Sequence, residues 1–142
     1  MNLTERLSPT LQQKATLRGK EYAWPVDVIP DVIAAAQQAN LVNVGGTLQF
    51  RMPDATCECY WIEVDNYPDR IDKLPWQERV EKTAEYTLKE FKSLRDTKDF
   101  LAEGRKAFAK HIDAYLANGG ELNDAMCFVW YLESEEQASG ML

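Results

Sequence analysis

Three groups of side chains in this 142-residue sequence have types and spacing that could do chemistry. Cys57 and Cys59 stand one residue apart in the run TCECYW, with Cys127 far along the chain. His111 is the single histidine, and Asp65, Asp69 and Asp72 are spaced through a short polar stretch. A structural zinc centre needs four ligands, a thiol nucleophile needs a base to take its proton, and a calcium loop needs carboxylates around a glycine turn with a bidentate glutamate at its end. Next-but-one positions on a strand hold their side chains roughly 6–7 Å apart, too far for an easy disulfide and loose for one metal. The missing zinc ligands would have to come from Cys127 and His111 in distant segments, and the aspartates lack both the glycine turn and the closing glutamate. No phosphate loop, Gly-rich dinucleotide turn, His-Glu-x-x-His pair or nucleophile elbow is present. The cysteines therefore read as packing residues, His111 as a partly buried helix residue with a hydrogen-bond partner, and the aspartates as an acidic connector. No catalytic residue, metal site or cofactor is expected.

The elements that would position these residues are set by periodicity. Leu3, Leu7, Leu11 and Ala15 are four apart and predict a short N-terminal helix, interrupted or restarted at Ser8-Pro9 and ended by Gly19. KEYAWP reads as a connector. Val28, Ile29, Val32, Ile33, Ala36 and Ala39 stripe a core helix over about 26–39, with Asn40 suited to its C-terminal end. Alternation then takes over: Leu48, Phe50 and Met52 face one way and Thr47, Gln49 and Arg51 the other. Pro53-Asp54-Ala55-Thr56 has turn chemistry, and 57–64 forms the return strand, with Cys57, Cys59, Trp61 and Glu63 on one face. Gly45-Gly46 supplies backbone freedom for a turn or bulge before the hairpin. Trp76, Val80, Ala84, Leu88 and Phe91 stripe a long helix. Phe100, Leu101, Gly104, Phe108, His111, Ile112, Tyr115 and Leu116 stripe a second, capped by Asp96 or Thr97, the two forming a helix hairpin over about 76–117. Asn118-Gly119-Gly120 stops it, and AMCFVWYLE, 125–133, is apolar enough to be a central strand. The predicted fold is a single α+β domain over 1–142, a small antiparallel sheet of hairpin plus C-terminal strand packed against several helices. Phe50, Trp61, Phe128, Trp130, Val32 and Phe108 are its expected core.

Charge narrows the partner. The net charge is −7, yet residues 53–72 hold six acids against Arg70 alone, and residues 111–142 hold six more with neither Lys nor Arg. Phosphate binding requires basic neutralisation, so nucleic acid is excluded as the partner of these segments, and a cationic protein surface is the natural complement. The N-terminal residues MNLTERLSPTLQQK carry charges among their leucines, unlike a signal peptide or membrane span. Three cysteines without an export signal fit reduced thiols, so a cytoplasmic protein is expected.

Residues 21–65, through Trp24-Pro25, the Gly45-Gly46 pair, and Asp54 followed by Cys57 to Trp61, resemble a region of the bacterial immunity proteins of polymorphic toxin and contact-dependent growth inhibition systems. Ala55 departs from the PDG turn expected there. The resemblance implies a non-enzymatic inhibitor that binds a cognate toxin in the cytoplasm of the producing cell. The partner face expected from the charge map comprises Glu58, Asp65, Asp69, Asp72, Glu133 and Glu135, with Tyr60 and Tyr67 as anchors. The alternative is a homo-oligomeric structural or small-ligand-binding protein. A homodimer stays open in either case, and no membrane partner is expected.

Overall fold

The computed structural model describes residues 2–65 and 71–140. Asn2 caps a short 3-10 turn, Leu3–Arg6, by accepting from the Thr4 amide. Ser8 then caps α1, Pro9–Lys14, with Pro9 in its first turn, where a missing N–H costs nothing. The chain does restart at Ser8-Pro9, as its residues predict. Helix α1 stops at Lys14, short of the expected end at Gly19, and Thr16–Arg18 (β1) and Glu21–Trp24 (β2), in place of that helix's last turn and the expected connector, pair as an antiparallel ribbon. Strands of three and four residues are too short to show alternation, and β1 buries no side chain, so neither leaves a hydrophobic signature.

Helix α2, Ile29–Gln38, buries Ile29, Val32, Ile33 and Ala36. It stops at Asn40, whose φ of 61° is the left-handed conformation that lets the Leu41 amide reach back to the Ala36 carbonyl at 2.9 Å. Strand β3, Val42–Met52, turns through Pro53-Asp54 into β4, Ala55–Asp65. Both strands are longer than the sequence pattern suggests. After a 3-10 turn at Ile71–Lys73 come α3, Trp76–Thr97, then α4, Phe100–Ala107, and α5, Ala109–Ala117. The short α6, Leu122–Ala125, leads into β5, Met126–Glu133, and α7, Glu135–Ala138, closes the described chain with a Ser134/Gln137 capping box. The expected single helix after α3 is two, broken at Phe108, where φ is −127° and ψ 38°, and it is capped by Asp99 rather than Asp96 or Thr97.

The five strands of the described residues form one antiparallel sheet in the order β1-β2-β5-β3-β4, so β5 is central, as its apolar run predicts. The α+β class and the hairpin are those expected; the sheet gains two strands at one edge. One face is packed against α2, α3 and α4 and carries Trp24, Leu48, Phe50, Cys57, Cys59, Ile62, Phe128 and Trp130 in the main core. Phe91 meets Phe128 edge-on at 5.2 Å, and Phe100 and Trp130 complete an aromatic centre around it. Each such ring removed from water contributes on the order of 1.5–3 kcal/mol. The other face holds a separate small cluster, Ala23, Cys127 and Val129, that contains no helical residue.

Two irregularities shape the sheet. Between Asn43 and Gly45 the β3–β5 register slips, and Gly45 takes φ 122°. A Cβ on Gly45 would strike the Val64 carbonyl, and one on Gly46 the Val129 carbonyl. The glycines thus admit neighbouring backbones inside a strand. The second slip is larger: Thr47 faces Glu63 while Leu48 faces Cys59, leaving Tyr60, Trp61 and Ile62 as extra residues on β4. Before the bulge Cys57 and Cys59 point into the core; Ile62, its last residue, and Val64 beyond it do so too. The predicted sharing of one face by Cys57, Cys59, Trp61 and Glu63 is therefore overturned. Trp61 is 40% exposed and Phe108 only half-buried, while Phe50, Phe128, Trp130 and Val32 are buried as expected.

Candidate functional site

The residues with nominal chemistry are placed so that they do little of it. Cys57, Cys59 and Cys127 are free and buried. Burial, then the neighbouring Cys57, Glu103 and Glu58, push the Cys59 thiol up to about 12, and burial raises Cys57 as well. Neither supplies thiolate at neutral pH. His111 is exposed on α5, contrary to the partly buried position expected, and lines a pocket of about 260 Å³ with Met52, Asp54 and Tyr115. Among the described residues no three His, Cys, Asp or Glu side chains converge to hold a metal ion.

The sheet face without helices is more organised. Gln49, only 3% exposed, donates through Nε2 to Glu58 Oε1 at 3.2 Å and Glu21 Oε1 at 3.4 Å, and its Oε1 accepts from Arg51 Nε at 3.0 Å. The Tyr131 hydroxyl donates to the other Glu21 oxygen. Burial, the Glu21 hydrogen bond and the charges of Glu21 and Glu58 raise the Tyr131 pKa, with Arg51 opposing. Arg51 continues across the sheet to the Thr16 carbonyl and hydroxyl and the Glu21 carbonyl. Arg18 on β1 donates to the Met52 carbonyl at 3.0 Å, the Ala55 carbonyl at 3.3 Å and the Thr56 hydroxyl at 2.7 Å. In a flat sheet β1 and β3 would lie roughly 14 Å apart, farther than an arginine side chain spans. The sheet therefore curls toward this face, drawing the β1–β2 ribbon to the β3–β4 turn.

The expected partner residues gather along β4 and the neighbouring ends of the sheet. Glu58 is on the curled face, tied to Gln49. Tyr60, at the bulge, is 70% exposed, its ring edge-on to Trp61 at 5.4 Å. Trp61 in turn stacks on Phe108 at the α4–α5 break, 6.2 Å between centroids. Asp65 ends β4 opposite Gly45, and Glu133 ends β5 opposite Val42. Because β4 and β5 both run antiparallel to β3, their C-terminal ends lie at the same end of the sheet, with β3 between them. Asp65 and Glu133, one from each acidic segment, are thus brought to the same end of the sheet, whereas Asp54 in the β3–β4 turn and Asp124 just before β5 lie toward the other. Asp72 and Glu135 are exposed, in the 3-10 turn before α3 and the first turn of α7. Tyr67 and Asp69 lie outside the described residues. Sequence reasoning missed Trp61 as a surface residue and Glu63 as its exposed acidic neighbour. The bulge that exposes Trp61 leaves no mark in an alternating pattern. The exposed edge strand β4 thus displays carboxylates beside a two-ring aromatic step, on an α+β protein with a sheet covered by helices on one side. Compared with protein-family models, curated proteins and solved structures, the chain matches none.

Proposed function

We propose that this protein is a bacterial immunity protein: a non-enzymatic inhibitor that binds a cognate, basic toxin domain in the cytoplasm and blocks it. The observation that carries the reading is the β4 edge, where Glu58, Glu63 and Asp65 flank the exposed Tyr60 and Trp61. Aromatic anchors ringed by charge of one sign are what a tight interface with an oppositely charged partner uses: the rings supply desolvated contact and the charges supply rate and register. The buried, protonated thiols support an inhibitor rather than a cysteine enzyme. None of the helices among the described residues is long and apolar enough to cross a membrane.

The test is rescue. Toxin domains encoded beside this gene are expressed in a sensitive bacterium with and without the protein, and the pair is then purified. Restored growth with a 1:1 complex is the expected result; failure to rescue from any neighbouring toxin, with no complex formed, overturns the reading.

A further inference from the structure

This acidic protein collects cations in one place. Lys14 at the end of α1, Arg18 on β1 and Arg51 on β3 line a cavity of about 440 Å³ at one end of the curled sheet face, with Cys127 on its wall. Arg18 Nη1 is held by the Met52 and Ala55 carbonyls and the Thr56 hydroxyl, and Arg51 by the Thr16 and Glu21 carbonyls, the Thr16 hydroxyl and Gln49. All of these acceptors are neutral and orient the two guanidinium groups; the Glu21 and Glu58 carboxylates are linked to Arg51 only through Gln49. The ion pairs among the described residues are Arg6–Glu136 and Arg95–Asp27, neither of them at this cavity. Arg18 keeps Nε and Nη2, and Lys14 its ammonium, without a hydrogen bond to any described residue, and Asp124 is the one carboxylate on the lining. Both arginines act on the Cys127 thiol, although burial prevails and pushes it up to about 11.

We propose that this cavity binds a small organic anion, its carboxylate or phosphate group held by Lys14, Arg18 and Arg51 and its compact body seated against Leu17, Pro25 and Met126. Guanidinium groups fixed in orientation match the oxygens of either group through paired N–H donors. The volume lies within the roughly 300–1,000 Å³ typical of small-molecule sites, and the lining joins apolar surface to a few convergent polar groups. The inference is independent of the toxin reading.

Titration of ¹⁵N-labelled protein at constant ionic strength with phenyl phosphate, benzoate and neutral benzyl alcohol tests it. The expected result is saturable amide shifts confined to residues 14–18, 51 and 123–127 with at least one anion and none with the alcohol; the tighter anion identifies the head group. Lys14→Gln disturbs no hydrogen bond seen in the structure and should weaken anion binding about tenfold, the loss of one charge-assisted contact. Arg18→Gln should abolish binding, with folding checked by its spectrum because Arg18 also holds the β3–β4 turn. Shifts that fail to saturate, spread over the surface or appear equally with the alcohol would overturn the proposal, as would unchanged affinity in Lys14→Gln.

Discussion

Cys59 has no exposed surface, and burial holds its thiol protonated to about pH 12, against 9.0 for a free thiol. In the unfolded chain that thiol ionises at the ordinary value, so between pH 9 and about 12 the folded state binds more protons than the unfolded one and stability falls as pH rises. Cys127, pushed up to about 11, acts in the same direction. Chemical denaturation should therefore show loss of stability beginning near pH 9, with a shallower slope in the Cys59→Ala/Cys127→Ala double variant; equal slopes would place the alkaline loss elsewhere. Replacing Cys59 with serine buries a hydroxyl among apolar groups, and an unmet hydrogen-bonding group there costs about 1–3 kcal/mol. Cys57→Ser with Cys59→Ser should lower stability by about that amount in urea titrations and leave partner binding intact. Stoichiometric zinc that vanishes in the double variant would show that the thiols are ligands after all. Trp61 presents the reverse case: 40% exposed and stacked on Phe108, it adds little to the core. Trp61→Ala should leave the fold in place yet weaken binding of the proposed toxin partner by about 2 kcal/mol or more, the scale of an interface anchor. Calorimetry with the cognate toxin would measure it.

Helix α4 and strand β3 touch where Gly104 meets the Phe50 ring, and a Cβ at residue 104 would overlap that ring. Phe50 is fully buried, so the ring has nowhere to go. Two effects then compete in Gly104→Ala: alanine gains roughly 1 kcal/mol in helix propensity, whereas overpacking a filled core costs about 1–3 kcal/mol. Packing should win, and the variant should melt earlier than the parent. A higher melting temperature would mean that Gly104 is an ordinary helical glycine. The break between α4 and α5 also belongs to this scale. Neither Pro nor Gly stands at residue 108, and the turn there brings Phe108 to Trp61 while Ile112 stays fully buried. The stripe Phe100 to Leu116 is a real apolar stripe, but it is shared between two helices.

Over the whole molecule, Asp65 and Glu133, one from each acidic segment, come to one end of the sheet because β4 and β5 run parallel to one another with β3 between them. Charge at such a rim acts on the rate of encounter and is screened by salt. Glu63, Asp65 and Asp72 are exposed. Their joint reversal to lysine should slow association with the proposed toxin partner at least about tenfold at low ionic strength, flatten the salt dependence and barely alter folding. Unchanged association kinetics at low salt would remove this face as the interface and leave the inhibitor reading to another surface.

Local order was legible in the residues themselves. Alternation marked the β3–β4 hairpin, the 3.6-residue period marked α2 and α3, Asn40 and Ser8-Pro9 marked ends and starts, and the unbroken apolar run of β5 marked a central strand. These signals are short-range because side-chain periodicity and backbone preference act within a few residues. The β1–β2 ribbon, the bulge at Tyr60 to Ile62, the curl held by Arg18 and Arg51, and the exposure of Trp61 and His111 depend on distant partners or on register between strands. The charge excess of the acidic segments was written in composition; that Asp65 and Glu133 share one end of the sheet was decided by strand order, and that Lys14, Arg18 and Arg51 gather at one cavity by strand order together with the placement of α1. Strand order is set by which faces bury together, and burial is a property of the assembled core rather than of any segment.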